Sequence, residues 1–62
     1  MVGLFKFPGH NRRTRIRLID SEFSIVDDCT IYEVELLSSL GFGYPEGYHL
    51  YLKNIDGVEW LV

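Results

Sequence analysis

The sequence predicts an all-β fold: a small, strongly bent antiparallel sheet of four or five short strands that closes on itself. Three observations predict it. Apolar and polar residues alternate with a period of two over Arg13 to Ile19 and again over Tyr48 to Lys53, the pattern of half-buried strands. Clusters of glycine, proline, asparagine and aspartate break up the chain at short intervals. With 62 residues, 47% of them hydrophobic and 15% aromatic, the chain makes one domain with enough apolar surface to collapse.

Met1 to Asn11 reads as an N-terminal arm, set apart from a domain over residues 12–62 by the turn signal Pro8-Gly9-His10-Asn11. In the first strand Thr14, Ile16 and Leu18 point one way and Arg13, Arg15 and Arg17 the other. Asp20 to Val26 reads as a loop with Phe23, Ile25 and Val26 as apolar anchors, and Asp27-Asp28 as a turn.

Thr30 to Leu37 fits two patterns. As a strand it sets Tyr32, Val34 and Leu36 on one face and Ile31, Glu33, Glu35 and Leu37 on the other. As a helix over 30–40 it starts from an Asp28 or Thr30 cap and stops at Gly41, which makes the fold α+β. The strand is favoured: Thr, Ile, Tyr and Val suit a pleated surface, and Glu33 and Glu35 would face Arg15 and Arg17 across an antiparallel pair.

Ser38 to Gly47 holds Gly41, Gly43, Pro45 and Gly47 and is a loop. Tyr48 to Lys53 sets Tyr48, Leu50 and Leu52 against His49, Tyr51 and Lys53. Asn54-Ile55-Asp56-Gly57 then reads as a hairpin turn, returning Val58 to Val62 against the preceding strand with Val58, Trp60 and Val62 on one face. The expected core gathers Ile16, Leu18, Val34, Leu50 and Trp60.

So short a chain is marginally stable unless reinforced. One cysteine, Cys29, excludes an internal disulfide and points to a reducing compartment. His10, His49 and Cys29 have no metal-ligand spacing, so no metal and no cofactor is expected. A homodimer is the remaining means of reinforcement. The apolar start, Met1 to Phe7, is too short for a secretion signal, and no run approaches the ~20 residues of a membrane span. The expected location is the cytoplasm.

The segments Leu18 to Val26, Ile31-Tyr32-Glu33-Val34 and Gly57 to Val62 resemble a group of very small SH3-like proteins of bacteriophages and Gram-positive bacteria. The resemblance covers roughly residues 13–62 and leaves the N-terminal arm aside. It implies a minimal SH3-like barrel. It does not extend to the acidic-aromatic signature of SH3 domains that bind proline-rich peptides, so that activity is not implied.

Two constellations carry function. Phe42, Tyr44, Tyr48 and Tyr51, with Phe23, make an aromatic patch of the kind that anchors protein partners; the bland alternative is that the rings roof a tiny barrel. Arg12, Arg13, Arg15 and Arg17 hold four of the six positive charges and could track phosphates. Net charge of −3 and pairing with Glu33 and Glu35 weigh against that. Glu22, Asp27 and Asp28 form an acidic corner suited to a basic partner or to phosphate mimicry, though carboxylates around a turn are ordinary. No serine sits in a nucleophile motif, and Cys29 and His49 could meet in space only as any two residues of so small a fold can. The reading is therefore a protein-binding module and not an enzyme, with nucleic-acid binding and a structural homo-oligomer subunit as alternatives. From the resemblance, the partner would be a host protein that a phage-encoded effector blocks.

Overall fold

A computed structural model describes residues 1–61 of the chain. It contains five strands and no helix: β1 (Val2–Phe5), β2 (Thr14–Ser24), β3 (Cys29–Leu36), β4 (His49–Leu52) and β5 (Glu59–Leu61). All pairings are antiparallel, and the strands form one open sheet in the order β4-β3-β2-β1-β5. The segment open to either reading, residues 30–40, is strand through Leu36, and the helix alternative is not what forms.

Three expectations change. The first eleven residues are no appendage: β1 lies between β2 and β5, pairing Gly3 with Ile16 on one side and with Trp60 on the other. Its alternation sends Phe5 toward the core and continues to Phe7, which is buried against its neighbour edge to face at 4.8 Å. Gly3 is required there. A Cβ at that position would lie 2.6 Å from Val58 Cγ1 and 2.8 Å from Trp60 Cε3, well inside contact distance.

Second, Asp20 to Ser24 is not loop but the far half of β2. The ladder with β3 slips between Leu18 and Asp20, leaving Ile19 as the extra residue of a bulge. Before it, Thr14, Ile16 and Leu18 face the core; beyond it that side is taken by Ser21, opposite Tyr32, and Phe23, opposite Thr30. The alternation is intact but changes phase. Phe23, Ile25 and Val26 are exposed, so they anchor nothing in the core.

Third, β4 and β5 do not form a hairpin. The turn exists: Val58 N–H donates to Ile55 O at 3.3 Å, Asp56 N–H donates to Asn54 Oδ1 at 2.7 Å, and Gly57 has φ 84°. The strands it joins sit on opposite edges of the sheet, because β5 pairs with β1. The expected place of Val62 lies outside the described residues.

Ile16, Val34 and Leu36 are fully buried and Phe7 nearly so, with Leu18, Tyr32, Leu40, Leu50 and Leu52 packed against them. Trp60 lies half-buried across Gly3. Among the described residues no helix is long and apolar enough to cross a membrane.

Candidate binding surface

The loop between β3 and β4 is a built structure. Leu36 N–H donates to Tyr48 O and Gly47 N–H donates to Leu36 O, at 2.9 and 2.7 Å, which fixes its two ends to each other. Within it, Gly41 to Tyr44 forms a miniature hairpin. Tyr44 N–H closes onto Gly41 O at 3.0 Å, and Leu40 N–H reaches Tyr44 O at 2.9 Å. The Ser39 hydroxyl braces it from below, donating to Tyr44 O and accepting from Gly41 N–H. Both central residues have positive φ, 48° at Phe42 and 88° at Gly43, so the turn is type I′.

Gly43 suits its place. Phe42 does not: the left-handed region costs a residue with a Cβ about 1–2 kcal/mol, and asparagine, aspartate or glycine normally fill it. Nor does the ring gain anything by burial, since its relative exposure is 103%. Tyr44 and Tyr48 stand beside it, edge to face at 5.3 Å and each a little over 40% exposed.

The other two aromatic candidates are elsewhere. Tyr51 is on the outer face of β4, opposite Glu33, and Phe23 is near the far end of β2, opposite Thr30. From the Leu36 end of β3 to Thr30 is about 20 Å of strand. Phe42, Tyr44 and Tyr48 therefore share the loop between β3 and β4, and Phe23 and Tyr51 lie outside it.

Two of the four arginines in the stripe carry carboxylate partners. Arg17 donates from Nε and Nη2 to Glu35 at 2.8 and 2.6 Å, as strand pairing anticipates, and Arg13 is ion-paired with Glu59 on β5. Glu33 does not meet Arg15. With Arg17 opposite Glu35, the antiparallel register runs the two apart: Leu37 N–H donates to Arg15 O at 2.9 Å, while Glu33, past the Ile19 bulge, faces Asp20 and lies 3.2 Å from His49 Nδ1. Arg15 has Leu4 opposite it on β1, and Arg12 lies in a shallow groove with His10, Asn11, Arg13, Ser38 and Ser39.

In the acidic corner, Lys53 Nζ is 3.0 Å from Asp27 Oδ1 and the Ser24 hydroxyl donates to Asp27 Oδ2. The lysine hydrogen bond, then the serine one, hold the Asp27 carboxyl below its usual range; the same contact raises Lys53. Cys29 and His49 are at opposite ends of the sheet and do not form a pair. Among the described residues no three His, Cys, Asp or Glu side chains gather as metal ligands.

Sequence reasoning missed the tip of the β2–β3 hairpin. Ile25 and Val26 occupy its corner and are 88% and 96% exposed. The available signal was two aliphatic residues placed where turns ordinarily carry polar ones. Comparison with protein-family models, curated proteins and solved structures finds no match.

Proposed function

We propose that this chain is a non-catalytic protein-binding module whose contact surface is the Phe42 hairpin with Tyr44 and Tyr48. One observation carries the reading: Phe42 is both strained in its backbone and fully exposed in its side chain. Neither condition helps the fold, and both are removed by an ordinary turn residue. Strain retained at an exposed aromatic ring is what a preformed anchor for a partner looks like. The braced loop adds to this by holding the ring ready, so that little ordering is left to the moment of binding.

The finer fold assignment belongs with this reading. A bulged, bent β2 shared between two halves of the sheet, with β5 returning to β1, supports a partly opened SH3-like barrel. The resemblance to phage-encoded proteins then suggests a cytoplasmic effector that binds and blocks a host protein. Nucleic-acid binding is the weaker alternative, because Arg13 and Arg17 already carry carboxylate partners.

The test is capture from host lysate by tagged wild type and by the Phe42→Ala/Tyr44→Ala double variant, with and without nuclease. A protein retained by the wild type after nuclease treatment, and lost from the double variant, supports the reading. Equal retention by both ends it. Loss on nuclease treatment, with retention falling steeply as salt rises, favours the arginine alternative.

A further inference from the structure

The two ends of the molecule differ in chemistry. One presents the β2–β3 turn, where Ile25 and Val26 stand in solvent with Phe23 beside them. This tip is hydrogen-bonded within itself: the Ser24 hydroxyl accepts from Asp27 N–H at 3.2 Å and donates to its carboxylate, Lys53 ties Asp27 to the end of β4, and Asp28 turns the chain back with φ 53°. Glu22, Asp27 and Asp28 surround it against one ammonium, Lys53, leaving the end negative. The other end presents the Phe42 hairpin beside the groove lined by His10, Asn11, Arg12, Arg13, Ser38 and Ser39, where Glu59 pairs with Arg13 and leaves Arg12 without a carboxylate in the lining. Lys6, Arg12 and Arg13 there outnumber Glu46 and Glu59.

We propose that copies of this chain assemble head to tail, the apolar Ile25–Val26 tip of one seating against the Phe42 loop and Arg12 groove of the next. Exposed aliphatics at a hydrogen-bonded turn call for an apolar partner surface, and the acidic rim calls for a cationic one. The aromatic, cationic end of a second copy offers both. The acidic rim also disfavours the anionic surface of a membrane. Such a contact joins two different surfaces, so it leaves a free tip and a free loop at the ends of every oligomer and propagates. The proposal rests on the Phe42 surface being a binding surface and adds that a second copy occupies it.

The test uses two variants that keep good turn chemistry: Phe42→Asn, which removes the loop end, and Ile25→Asn/Val26→Gly, which removes the tip. Light scattering on wild type across a concentration series should give an average mass that rises past that of two copies, and falls back with added salt. Each variant alone should be monomeric. Mixed in equal amounts, they should form a complex of twice the monomer mass and no larger, since one supplies the only tip and the other the only loop. A wild type that stays monomeric overturns the assembly, as does a dimer that persists in both variants, which would mark a two-fold contact such as edge pairing of β4. If the wild type is monomeric yet captures a foreign protein through Phe42, the assembly fails and the binding module stands.

Discussion

At the scale of single residues the balance of forces is clearest at Phe42 and Asp27. Phe42 holds a left-handed backbone conformation while its ring stays in water, so its replacement by asparagine should relieve strain without removing any packing. Asp27 is different. Its hydrogen bonds to Lys53 and Ser24 favour the charged form in the folded state, so its folded pKa lies below its unfolded one. The resulting contribution to stability is present above the unfolded aspartate pKa of about 4 and is lost as pH falls through the folded value. Both groups are open to solvent, so the contribution is small. In Lys53→Gln the carboxyl loses its largest partner, and an NMR titration should find the Asp27 midpoint moved up toward the ordinary range. An unmoved midpoint would mean the contact is not formed in solution.

At the scale of elements, the sheet depends on what its strands allow to approach. Gly3 lets Trp60 and Val58 lie against β1; Gly3→Ala forces one of them aside, and overpacking of this kind should cost about 1–3 kcal/mol, read as a lower denaturant midpoint. Ile16, near the start of β2, is fully buried, and Ile16→Ala should cost about 2–5 kcal/mol by the same measurement. Deleting Met1 to Phe7 should abolish cooperative unfolding, because it removes an interior strand together with Phe5 and Phe7. A folded, cooperative truncation would restore the view of those residues as an arm. The near half of β2, with Ile16, and the strands containing Val34 and Leu50 were legible because each keeps one phase of alternation. The far half of β2 was not, because the Ile19 bulge reverses the phase and makes a continuous strand look like a mixed loop. Gly3, Phe5 and Phe7 do alternate, but the turn signal after them drew the boundary in the wrong place. The Asn54 to Gly57 turn was correctly located, yet local turn chemistry carries no information on whether the strands it joins pair with each other or lie on opposite edges.

At the scale of the whole molecule, a 62-residue chain with a core centred on Ile16, Val34 and Leu36 has little stability to spare. Aromatic richness around the Ser38 to Gly47 loop was enough to nominate Phe42, Tyr44 and Tyr48. It could not separate them from Phe23 and Tyr51, because that separation depends on strand length and register. In so marginal a fold, about 1 kcal/mol of avoidable backbone strain is a substantial fraction of the total. The claim that Phe42 is kept for contact and not for folding is therefore best tested by equilibrium denaturation of Phe42→Asn beside wild type. The account predicts a variant more stable by about 1 kcal/mol, its asparagine-glycine pair matching the type I′ turn. A variant less stable than wild type would show that the ring supports the fold, and would contradict the account at its centre.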